Sequence, residues 1–114
     1  MLDTHREVAT HKGYTIYQRD PGFEYTPVML AKIASFIARH EDGHWTVFAF
    51  MYSLLLKIDN PYIEDDALLQ SGIGTIIESI DAGELKHRAE RTFEYHYGVF
   101  TEVIAPRWWI TTHR

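Results

Sequence analysis

Residues 40–44 read His-Glu-Asp-Gly-His, two imidazoles four positions apart with a carboxylate directly after the first. On a continuous helix that spacing turns both rings to one side. There they can ligate a zinc ion while the glutamate takes a proton from the metal-bound water. The chemistry open to this pattern is zinc-assisted hydrolysis, with His40 and His44 as ligands and Glu41 as general base. His96 is the candidate third ligand, because it falls on the apolar side of the last expected helix. A solitary inward histidine is otherwise a hydrogen-bonded packing residue or a buried pH switch.

Over these five residues the chain resembles the zincin metalloproteases, and the resemblance implies His40 and His44 as ligands and Glu41 as base. It covers no other part of the chain: no Gly-x-x-His ligand follows, and Asp42-Gly43 would have to sit inside the helix. The competing structural reading ends a helix at Asp42-Gly43, a common turn pair, and leaves the two histidines flanking a turn. The leading expectation is therefore no catalytic residue, no metal and no cofactor, with zinc at His40, His44 and His96 as the alternative. Glu41-x-x-His44 and Glu84-x-x-His87 also have the spacing found in di-iron carboxylate bundles. Glu84 and His87, however, fall on the polar side of their expected helix, as solvated helix-start residues do. No Gly-x-Ser-x-Gly elbow and no Gly-rich phosphate loop occurs.

Composition bounds the rest. The 114 residues are 46 % apolar and 24 % charged, which is the balance of one soluble globular domain. With no cysteine, disulfides, thiolate zinc sites and a cysteine nucleophile are excluded. A net charge of −5 argues against a phosphate backbone as the main partner. The short basic cluster Lys86, His87, Arg88 and Arg91 is interleaved with acids and reads as a solvated face. Met1 to Glu7 lacks the apolar stretch of a signal peptide, and the apolar run over residues 47–56 is too short for a bilayer. The expectation is a cytoplasmic protein with no membrane role.

Hydrophobic periodicity points to a mainly α domain, a bundle of three to four helices carrying a short N-terminal strand or hairpin. Residues 1–25 form the extended segment, with a strand at 13–18, a turn at Asp20-Pro21-Gly22, and Phe23 and Tyr25 folding back. Residues 26–105 form the helical body. Thr26-Pro27 opens a first helix whose apolar side carries Met29, Leu30, Ile33, Phe36 and Ile37. A second, more buried helix runs over residues 45–58, and one bent helix over 27–58 is the alternative. A third covers about 63–80, with Glu64, Asp65 and Asp66 complementing its dipole. Asp81 to Glu84 has capping-box spacing and opens a last helix reaching Ala105 before Pro106. Alternation of Phe93, Tyr95, Tyr97 and Val99 gives a competing strand. Residues 106–114 form an aromatic tail that could pair with the N-terminal strand.

Six aromatics lie outside these helices: Tyr14, Tyr17, Phe23, Tyr25, Trp108 and Trp109. Tyrosine and tryptophan bury large areas while keeping a polar handle, so they suit an interface. The leading functional expectation is a small acidic non-enzymatic protein that acts through protein–protein contact. It would pair with itself as a homodimer or bind a protein partner, as an inhibitor, immunity, adaptor or regulatory protein does. The alternative is a small zinc-dependent hydrolase built on residues 40–44.

Overall fold

A computed structural model describes residues 4–56 and 62–104, and it is 49 % strand. The chain runs β1 (His5–His11), β2 (Tyr14–Arg19), β3 (Glu24–Thr26), β4 (Ala31–His40), β5 (Trp45–Ser53), α1 (Asp65–Asp81), β6 (Glu90–His96) and β7 (Val99–Val103). Single 3-10 turns lie at Leu54–Leu56 and Leu85–His87. The strands form one seven-stranded mixed sheet in the order β1-β2-β4-β5-β6-β7, with β3 paired to the start of β4. Only β5 and β6 run parallel, and α1 is the crossover between them, the connection a parallel pair requires.

This overturns the helical bundle. The first two expected helices are β4 and β5, and the last is a 3-10 turn followed by β6 and β7. The helix expected over residues 63–80 is α1, and the strand expected at 13–18 is β2. β2 has β1 on one edge and β4 on the other, which leaves it no free edge for a ribbon with the tail. That tail, with Trp108 and Trp109, lies outside the described residues.

The helical periodicity misled because β4 and β5 are apolar on both faces. Toward α1 they turn Ala34, Phe36, Ala38, Phe48, Phe50 and Tyr52, and away from it Ile33, Ile37, Val47, Ala49 and Met51. Such a run satisfies the helical and the strand template alike. Its aromatic and β-branched content decides for the strand, where side chains stand clear of the backbone. Two hairpins close on two-residue turns, Lys12-Gly13 and Tyr97-Gly98, with all four φ values positive as a primed turn requires.

α1 lies across one face of the sheet. Leu68, Ile73, Ile76 and Ile80 join Ile16, Phe36, Phe48, Phe50, Phe93 and Phe100 in one core. Gly72 lets the helix approach closely, since a Cβ there would stand 3.6–3.7 Å from the Phe36 and Phe50 rings. Arg91 is buried in this face beside the Phe93 ring, and its guanidinium donates to both carboxylate oxygens of Glu102 (2.9 and 3.0 Å). The Thr46 hydroxyl, fully buried, donates to the Arg88 carbonyl (2.7 Å) and ties the 85–88 turn to β5. Among the described residues no second layer covers the other face, and no helix is long and apolar enough to cross a membrane.

Candidate functional site

The His-Glu-Asp-Gly-His segment is the β4–β5 hairpin loop. The Gly43 N–H donates to the His40 carbonyl (2.9 Å) and the His40 N–H to the His44 carbonyl (2.8 Å). That is a turn through Glu41-Asp42 followed by a left-handed residue, and Gly43 at φ 98° supplies it without a Cβ clash. His40 and His44 are therefore cross-strand neighbours continuing the Arg39–Trp45 register, and both face the α1 side. A hairpin loop stands where the zincin resemblance requires a helix.

Their rings stack at 4.9 Å with 19° between planes. Tyr14, paired with His40 across β2 and β4, sets its ring edge-on to both, at 4.7 and 5.3 Å. Its hydroxyl meets His44 Nε2 at 2.6 Å. Asp42 closes the group from the loop: its Oδ1 accepts the His44 backbone N–H (2.9 Å) and lies 2.5 Å from His44 Nδ1 and 3.2 Å from His40 Nδ1. His40 Nδ1 also accepts the Asp42 backbone N–H at 3.2 Å.

The network assigns the tautomers. Asp42 Oδ1 accepts a hydrogen bond from His44 Nδ1–H, which leaves Nε2 as acceptor for the Tyr14 hydroxyl. Asp42, fed first by the His44 backbone N–H and then by its ring, is held below the usual carboxylate range. Burial pushes the Tyr14 phenol up, and the Asp42 charge adds to it. A phenol so placed stays protonated and acts as a hydrogen-bonding support, not as a nucleophile.

Neighbouring loops fix this end of the sheet. The Glu41 N–H donates to the Gly13 carbonyl (3.0 Å), which clasps the β1–β2 turn to the β4–β5 turn. His11 Nε2 and Lys12 Nζ both reach Asp81 Oδ1 at 2.7 Å, joining the β1–β2 turn to the end of α1. Beyond His44, a recess of about 270 Å³ runs between Trp45 and the 85–89 segment, with Lys86 and His87 on its wall.

Three groups with one ligand atom each, on His40, Asp42 and His44, lie within 4.8 Å of one another. His96 does not join them. It stands at the far end of β6, on the opposite face, beside Glu94 at 3.3 Å. The Glu41 carboxylate lies by Gly13 and is not one of the converging groups. Glu84 pairs with Arg91 at 3.3 Å, so the second Glu-x-x-His spacing builds nothing. Asp42 is the group that sequence reasoning misses, because Asp-Gly signals a turn and nothing in the spacing aims its carboxylate at the rings.

The aromatic candidates separate as well. Tyr14 is buried within the histidine cluster, and Phe23 packs edge-on against Phe36. Tyr17 stands half-buried on the uncovered face of the sheet, and Tyr25 is exposed on β3. On that uncovered face Tyr17, Ile37, Val47, Ala49 and Met51 form a half-buried apolar centre that includes Ser35 opposite Ala49, and at one end Ile33 is buried in a small cluster with Met29. Glu7, Arg19, Glu24, Arg39, Glu90 and Glu94 surround it, and Trp45, 55 % exposed, stands at the loop end. Comparison with protein-family models, with curated proteins and with solved structures returns no match, so no family or function comes to this chain by similarity.

Proposed function

We propose that this chain is a small acidic non-enzymatic protein of the cytoplasm that pairs with a second copy of itself through the uncovered face of its sheet. The observation that carries this reading is the arrangement of that face, an apolar centre within a charged rim. Core and rim of this kind are the anatomy of a stable interface. Six strands at ~4.8 Å spacing and about seven residues in length span roughly 650 Å² of flat sheet, before side-chain relief is added. A standard interface takes about 800 Å² from each partner, so the flat area alone comes to about four-fifths of that share.

A second copy is favoured over a different partner because the rim charges are complementary to themselves. Arg19 and Arg39 lie on the β2–β4 side, while Glu90 and Glu94 lie on β6. A two-fold axis along the strands lays the β2 side of one copy over the β6 side of the other. Glu7 on β1 and Glu24 on β3, the latter opposite Ile33, are rim acids outside this division. Two sheets stacked in this way form a sandwich with about 10 Å between layers. The absence of cysteine accords with a reducing compartment.

Light scattering across a concentration series tests the reading. The wild-type chain should reach twice its 13.3 kDa mass, and Ala49→Arg should remain monomeric with an unchanged circular dichroism spectrum. A wild-type monomer at every concentration, or a dimer indifferent to Ala49→Arg, would refute it.

A further inference from the structure

The β4–β5 loop carries a second capacity, independent of the uncovered face. We propose that His40, Asp42 and His44 form a binding site for a divalent transition metal of the zinc class. Two imidazole nitrogens and one carboxylate oxygen are the donors such an ion takes, whereas calcium and magnesium call for oxygen alone. Three protein ligands leave the remaining positions to water.

Much of the site is organised before a metal arrives. Backbone hydrogen bonds fix the loop, and the cross-strand register aims both rings to one side. Asp42 already lies against both Nδ1 atoms, at 2.5 Å from His44 and 3.2 Å from His40. Zinc bonds of about 2.0–2.1 Å set tetrahedral ligand atoms roughly 3.3–3.5 Å apart. The present separations, none above 4.8 Å, bracket that spacing, and ligation through His40 Nδ1 gives up the 3.2 Å bond it accepts from the Asp42 N–H. The two histidine side chains, 27 % and 26 % exposed, are accessible without opening the core.

Tyr14 supplies the outer support that metal-bound histidines require. With the ion on His44 Nδ1 the ring changes tautomer: the Nδ1 proton now directed at Asp42 is released, Nε2 takes one proton from solvent, and that Nε2–H is donated to the Tyr14 hydroxyl oxygen, which turns from donor to acceptor. That hydroxyl, buried and pre-positioned at 2.6 Å, can donate or accept and so holds the ring plane in either tautomer. Gly13 leaves room beside His40, since a Cβ there would come within 3.0 Å of His40 Nε2.

Calorimetric titration of untagged, chelator-stripped protein with zinc chloride tests this, with cobalt as a spectroscopic probe. One zinc should bind per chain with micromolar affinity, and cobalt should give the visible absorption of a low-coordinate nitrogen and oxygen site. His40→Ala, His44→Ala and Asp42→Asn should each weaken zinc binding by tenfold or more, and Tyr14→Phe by about tenfold through the outer shell. His96→Ala and His5→Ala, away from the loop, should leave binding unchanged. His40→Ala and Asp42→Asn alter groups at the surface, so a folding failure of His44→Ala would not remove the test. Absence of binding at millimolar zinc, or binding that survives His40→Ala and Asp42→Asn, would overturn the site.

Discussion

Replacing Glu102 by glutamine removes the charge that holds Arg91 inside the sheet. The Arg91 side chain is 4 % exposed and lies over the Phe93 and Phe48 rings, so its cation has little water to turn to. Two charge-assisted bonds that it donates to Glu102 and a weaker contact to Glu84 at 3.3 Å compensate it. Breaking a buried pair by removing one partner costs about 3–5 kcal/mol. Glu84 remains and Glu102 is about a third exposed, which brings the expectation for Glu102→Gln to roughly 2 kcal/mol. For a domain of this size that is a fall in Tm of about 8 °C. The pH dependence carries a sign. Arg91 holds the Glu102 carboxyl below its ordinary range, by hydrogen bond first and charge second. Its contribution is complete above the unfolded value, near pH 4.3, and is lost as pH falls through the lower folded value. Urea denaturation at neutral and acid pH should therefore show the wild-type advantage at pH 7 and its loss in acid. A variant within 0.5 kcal/mol of wild type at pH 7, or a difference that persists in acid, would refute this account.

Two further substitutions follow from packing. Gly72→Ala should stabilise the protein by about 0.5–1 kcal/mol in thermal denaturation, because helix propensity is gained and the new methyl meets Phe36 and Phe50 at ordinary contact distance. Gly72→Leu should destabilise it by about 1–3 kcal/mol through overpacking against the same rings. Thr46→Val removes the buried hydroxyl that holds the 85–88 turn. It should cost about 1–2 kcal/mol and raise amide exchange in that turn while α1 stays protected.

Local chemistry is legible in the sequence, and strand pairing is not. The Asp-Pro-Gly turn, β2 and α1 each rest on short-range signals: a turn tripeptide, a β-branched and aromatic run, and one acidic helix start with a clean apolar stripe. β4 and β5 carry apolar residues on both faces, so periodicity alone does not separate strand from helix, and the length of the runs favours the helix. The period-two alternation of Phe93 and Tyr95, which competes with a helical pattern in the sequence, is what β6 expresses, with Tyr97-Gly98 as its turn. At the candidate site, residues i and i+4 converge across a three-residue hairpin loop much as they do on a helix. The meeting of His40 and His44 therefore survives an incorrect secondary structure. The role of Glu41 does not, because on the loop Asp42 turns toward the rings and Glu41 toward Gly13. Tyr14 reaches His44 only through the β2–β4 register, which no local pattern encodes.

The most direct measurement of the central claim is an isotope-filtered NOE experiment on an equal mixture of ¹³C-methyl-labelled and unlabelled chains. The Met51 and Val47 methyl groups, both on the uncovered face, should show cross-peaks to protons of the partner copy. The Leu68 and Ile76 methyls, sealed in the core beneath α1, should show none. Absence of intermolecular peaks from Met51 and Val47 at millimolar protein, or peaks confined to residues away from that face, would contradict the pairing proposed for this chain.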